Sequence, residues 1–162
     1  LIRICRALGY DVFVARNDRS RTCHGDSFAM LTLPDLPALN LPPDVQSTVE
    51  LIDVLWFAKG EPKLVCAFEV EQSTSIYSGI LRMKDLAFSV PDQQAHFYLV
   101  APEAREQEVV AQMLRPALKG GGDTFRLGYL PSGELKEQCD ALCRFGADRS
   151  VLLKLARSHN LA

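Results

Sequence analysis

The sequence predicts an α/β fold, a mixed central sheet of about five strands flanked by helices. Runs of β-branched and aromatic residues recur along the chain: YDVFVA at 10–15, HFYLV at 96–100 and TFRLGYL at 124–130. Stretches with apolar residues at helical spacing separate them. Between these lies LVCAFEV at 64–70, whose first five residues are all apolar, the pattern of a strand buried on both faces. A chain of 162 residues with 48% hydrophobic and 23% charged residues suits one domain, 1–162, with a sizeable core.

In order, Leu1, Ile4, Cys5 and Leu8 share one face of an opening helix, and Gly9 stands where a left-handed helix end needs glycine. The strand at 10–15 follows. Residues 17–21 (NDRSR) form a polar turn. Its Arg19 and Arg21, with Arg16 before them, read either as phosphate contacts or as a solvated charged loop. Pro34, Pro37, Pro42 and Pro43 exclude helix and central strand from 34–43, so an extended loop runs to about Asp44. A second strand is expected over 46–57, with Asp53 inside it. Lys59-Gly60-Glu61-Pro62-Lys63 turns it back into 64–71 as an antiparallel hairpin. Ser73 or Thr74 caps a helix whose apolar face is Ile76, Ile80, Leu81, Met83, Leu86 and Ala87, and Pro91 stops it. After the strand at 96–100, Pro102 opens a helix carrying Val109, Val110, Met113 and Leu114, broken at Pro116. Gly120-Gly121-Gly122 is a joint without the Lys-Ser/Thr pair of a phosphate loop. The strand at 124–130 leads to helices over 134–145 and 150–157, parted by Gly146.

Several classes are excluded by composition. No apolar run approaches the roughly 20 residues of a membrane span, and no signal-peptide pattern opens the chain. Five scattered cysteines suit reduced thiols in a cytosol, so a cytoplasmic location is expected. A net charge of -2 argues against a basic coat for nucleic acid. Because Leu1-Ile2-Arg3-Ile4-Cys5 is already helical in pattern, the chain reads as part of a longer protein.

The chemistry concentrates at the end of the buried strand. Glu69 and Glu71 are two apart and so face the same side. Two like charges there are costly to bury, and each raises the other's pKa. A divalent cation removes the conflict, and Asp53 brought alongside Glu69 by the hairpin would complete a hard-oxygen site. Asp53 followed by Glu69-x-Glu71 at the end of the next strand resembles the active-site signature of the PD-(D/E)XK nucleases, the restriction-endonuclease-like fold. Two departures are visible: Ile52 stands where proline is usual, and Glu71 stands where lysine is usual, although some restriction endonucleases carry Glu there.

The resemblance implies a Mg²⁺- or Mn²⁺-dependent endonuclease acting on DNA. Asp53, Glu69 and the Val70 carbonyl are then the metal ligands. Glu71 orients water, accepts a proton or binds a second ion, and Gln72 orients a ligand or phosphate. Glu50 is a second-rank ligand. Arg82 and Lys84 on the following helix are candidates for binding the nucleic acid and for stabilising charge in place of the missing lysine. Two copies pairing on a duplex, and a remainder of the protein supplying target recognition, are further expectations. Two other readings compete: an inactive nuclease-like module that binds nucleic acid or a protein partner, and a plain α/β interaction domain in which Glu69 and Glu71 pair with Lys or Arg across the sheet.

Overall fold

The computed structural model describes residues 1–23, 25–73, 75–90, 94–118 and 125–157. Helix α1, Ile2–Ala7, buries Ile4 and Cys5 and ends at Gly9, whose φ of 78° is the left-handed conformation expected there. Strand β1, Asp11–Val14, follows. A two-residue ribbon, β2 (Thr22–Cys23) with β3 (Asp26–Ser27), and a single turn of helix, α2 (Phe28–Leu31), precede the proline-rich stretch. Helix α3 is Pro43–Val49, β4 is Val54–Phe57 and β5 is Leu64–Val70. Helix α4, Ile76–Ser89, crosses over to β6, His96–Ala101. Helix α5, Glu106–Met113, leads to β7, Leu127–Pro131, and then α6, Ser132–Glu137, and α7, Cys139–Phe145.

The predicted mixed sheet is present, with order β1-β4-β5-β6-β7. β4 runs antiparallel to both β1 and β5, whereas β5, β6 and β7 are mutually parallel. The α4 crossover between β5 and β6 is what a parallel pairing requires. Each face of the sheet has its own core. Leu55, Ala67, Leu99 and Tyr129 pack with Val49 of α3, Ile76, Ile80, Met83 and Leu86 of α4, and Val109 and Met113 of α5. Val54, Trp56, Phe68, Tyr98 and Leu130 pack on the other face with Ile4, Cys5, Leu135 and Leu152. Each fully buried large side chain contributes roughly 1.5–3 kcal/mol. Trp56 is wholly buried between Tyr10 and Phe68, at ring-centroid distances of 6.1 and 4.8 Å, so it is core and not a platform for bases.

Five elements differ from expectation. The strand expected over 46–57 begins only at Val54, and Pro43–Val49 is helical. Val45, Thr48 and Val49 suggest a strand by residue type, but Pro43 occupies the first helical position, where its missing N–H costs nothing. The hydroxyls of Ser47 and Thr48 donate to the Asp44 carbonyl, as helical side chains do. The expected helix at 134–145 is two helices meeting at Gln138, although Gln138 N–H still bonds to Glu134 and Leu142 N–H to Gln138. The expected helix at 150–157 is a 3-10 turn over Arg149–Lys154, after which Arg157 pairs with Tyr129 through two backbone hydrogen bonds. The last strand begins at Leu127 and takes in Pro131. Ser75, not Ser73, is the N-cap of α4, and Leu81 faces outward. Thr74, Pro91, Thr124 and Gly120 to Gly122 lie outside the described residues.

Candidate active site

The strand directions decide where chemistry can gather. β1, β5, β6 and β7 all end at one edge of the sheet, and β4 begins there. Asp53 is the residue before β4, and Glu71 the residue after β5. In the hairpin register Val54 lies opposite Phe68, so one step further places Asp53 opposite Glu69. The contact is direct: Asp53 Oδ2 accepts a 2.6 Å hydrogen bond from Val70 N–H. Asp53 thus arrives beside the acids as expected, but from the start of its strand and not its middle.

Glu69 has the parity of Ala67 and so faces α3, α4 and α5. It is completely buried, and Glu71 nearly so. Both face Gly79 of α4: a Cβ built there would lie 2.8 Å from Glu71 Oε1 and 3.2 Å from Cβ and Cγ of Glu69. One turn later Arg82 grips Glu69 side-on, Nε to Oε1 and Nη2 to Oε2, each at 2.8 Å. The pairing reading for Glu69 is therefore met, with a partner from the helix and not from across the sheet. It does not neutralise the cost of burial. Burial pushes the Glu69 carboxyl up to about 7, against the Arg82 hydrogen bonds, with Asp53 and Glu71 raising it further. A shift of that size is on the order of 3 kcal/mol against the ionised form. Burial also raises Asp53, against the Val70 hydrogen bond, with Glu71 adding to the rise. Two guanidiniums face the cluster, Arg82 on Glu69 and Arg105 beside Glu71.

Arg105, which the sequence pattern does not single out, fixes the backbone here. Its Nη1 donates to the Glu71 carbonyl at 3.0 Å, and Nε and Nη2 fork onto Glu108 at 2.9 Å each. Its signal is positional: it sits in the turn after β6, the strand beside the one Glu71 leaves. Glu71 N–H donates to Val100 of that same strand.

A family model described as the type II restriction enzyme NmeDI C-terminal domain matches residues 1–151. The chain belongs to this family. The type II restriction enzyme NmeDI of Neisseria meningitidis serogroup C is 28% identical over 144 residues, covering 82% of this chain and 39% of that enzyme. The chain therefore spans about two fifths of that relative's length. No solved structure matches it.

The NmeDI C-terminal domain match takes in every candidate residue, but the fold brings only some of them together. Asp53, Glu69, Val70, Glu71 and Arg82 converge, and Gln72 is exposed one residue beyond. Lys84 does not join them. Two residues on from Arg82, it is carried to another face of α4, where Nζ donates to the Ala117 carbonyl at 2.7 Å and lies over the Phe88 ring. Arg19 donates to the carbonyls of Leu33 and Pro34, pinning the proline-rich loop, and Arg21 pairs with Asp18 at 3.2 Å. Glu50 lies at the end of α3, bonded to Gln46 and Arg16. Among the described residues no three His, Cys, Asp or Glu side chains converge closely enough to hold a metal ion. The guanidinium of Arg82 fills the cationic role. The donor set, carboxylates with a neighbouring backbone carbonyl, is nonetheless the hard-oxygen chemistry that suits Mg²⁺.

Gly79 tests how tightly this site is built. Alanine at 79 would gain about 1 kcal/mol in helix propensity. It would also crowd Glu69 and Glu71, and overpacking costs roughly 1–3 kcal/mol. Gly79→Ala is expected to lower the melting temperature by a few degrees, measured by thermal denaturation. A rise would mean that the wall is loose.

Proposed function

We propose that this domain is a PD-(D/E)XK-type, divalent-metal-dependent endonuclease that hydrolyses DNA phosphodiester bonds. The observation that carries the reading is the fully buried Glu69 with Asp53 and Glu71 beside it, at the edge where four strands end. Asp53 and Glu69 would hold Mg²⁺ or Mn²⁺. Val70 suits a third ligand, because its N–H already points to Asp53 and a strand residue projects its N–H and C=O to the same edge. A cation bound there would polarise a phosphodiester oxygen and lower the pKa of the attacking water. Glu71, fixed through its backbone by Arg105 and Val100, would accept the water's proton. Gln72, exposed at the rim, would orient a phosphate. The family membership supports the reading: the relative is named as a restriction enzyme. The rest of a longer chain would supply target recognition, and a second copy would supply the cut in the second strand.

Two observations favour a second reading, an inactive module that binds nucleic acid or protein. Glu71 stands where lysine is usual, and Arg82 already pairs with Glu69. Two measurements separate the readings. Supercoiled plasmid incubated with the chain and Mg²⁺ or Mn²⁺ is expected to be nicked or linearised, and not in excess chelator. Thermal shift with each ion should show stabilisation that grows with concentration, about 2.7 kcal/mol at a hundred times Kd. Stabilisation without cleavage would favour the inactive module, and neither effect would end the metal-site reading.

A further inference from the structure

Helix α4 offers the acids two residues three apart, and both serve the same end. Gly79 adds no side chain, which lets the helix close on Glu69 and Glu71. Arg82 then spans the gap and occupies both oxygens of Glu69, at 2.8 Å each. An ion ligated by Glu69 must take at least one of those oxygens and would stand beside a fixed positive charge. Glu69 itself is wholly buried and has nowhere to turn, whereas the Arg82 side chain is 26% exposed. The arginine is the partner that can move, by rotating its long stem while the helix stays in place.

We propose that Arg82 is the resident cation of this site, that a divalent ion displaces it from Glu69, and that the freed guanidinium then grips the substrate's phosphate. The inference rests on the reading of Glu69 as a metal ligand. Its chemistry is consistent on both sides of the switch, because the planar fork of arginine matches a phosphate as well as it matches a carboxylate. The arrangement holds the metal-free site together and couples metal binding to substrate capture.

The test uses the 162-residue chain and Mn²⁺ alone, titrated by calorimetry into the wild type, Arg82→Gln, Arg82→Lys and Glu69→Gln. Removing Arg82 also makes Glu69 hold its proton more tightly, so affinities are compared after the proton released on binding has been subtracted, read from titrations in buffers of different ionisation enthalpy. On that scale Arg82→Gln is expected to bind Mn²⁺ at least tenfold more tightly than the wild type, about 1.4 kcal/mol. Arg82→Lys, which keeps the charge but loses the fork, should gain less. Equal or weaker proton-corrected binding by Arg82→Gln overturns the proposal. Glu69→Gln tests the parent reading separately: if it binds Mn²⁺ as the wild type does, Glu69 is not a ligand and both ideas fall. A measurement on the wild type needs no variant to fold. The ¹⁵N–¹H signal of Arg82 Nε, which donates to Glu69, should shift as diamagnetic Mg²⁺ saturates the site. An unmoved signal at saturation overturns the displacement.

Discussion

Glu69→Gln is expected to reduce plasmid cleavage by about a thousandfold or more while leaving the chain folded. The two effects separate for a physical reason. Glutamine has the same shape and keeps a carbonyl oxygen for one arm of the Arg82 fork, while its amide N–H faces the other, so a loss of about 1–3 kcal/mol is expected with the fold retained. On the proposed reading, the metal site would lose a charged ligand at its centre. Stabilising a transferring phosphoryl group through a metal involves several kcal/mol, and about 4 kcal/mol corresponds to a thousandfold. Asp53→Asn should behave similarly in rate. It also weakens the acceptor of the 2.6 Å bond from Val70, so it should cost about 1 kcal/mol of stability as well. Initial rates on supercoiled plasmid at fixed Mg²⁺, with melting curves of each variant, check both statements. Retention of more than a tenth of the activity in Glu69→Gln would remove Glu69 from the site.

The centre of this fold is legible in the sequence because its signals agree. LVCAFEV at 64–70 is too apolar for anything but a doubly buried strand, the Gly60 turn before it permits a tight hairpin, and the helical period of α4 begins at once afterwards. The acids stand out because they break an apolar run. Helix α3 is not legible in the same way: Val45, Thr48 and Val49 favour strands by type, and the decisive feature is the position of Pro43 at a helix start. The partners of the acids are still less visible. Arg82 and Lys84 look equivalent as charges, and only the turn of α4 assigns the first to Glu69 and the second to Ala117. Arg105 reaches Glu71 from 34 residues away, through a strand pairing that no local pattern contains. The same is true of Arg157, which returns to pair with Tyr129.

Arg82→Met is expected to destabilise the metal-free chain in a way that depends on pH, and the sign follows from Glu69. The Glu69 carboxyl is raised from an ordinary 4.5 to about 7 with Arg82 in place, chiefly by burial. Below about 7 it carries a proton whether or not Arg82 is present, so the variant loses only hydrogen bonds, about 1 kcal/mol. Above 7 the wild type ionises Glu69 against Arg82. The variant has no partner for the charge and must keep the buried carboxyl neutral. Each further pH unit then costs it about 1.4 kcal/mol relative to the wild type. Near pH 9 the deficit should reach about 4 kcal/mol, within the roughly 3–5 kcal/mol typical of a broken buried ion pair. For a chain of this length 1 kcal/mol is about 2–4 °C, so the melting temperatures should differ by about 10 °C at pH 9 and by only a few degrees at pH 6. Paired melting curves across that range decide the point. A deficit that stays constant with pH would mean that Arg82 acts through packing alone, and that Glu69 is neutral in the folded chain at every pH tested.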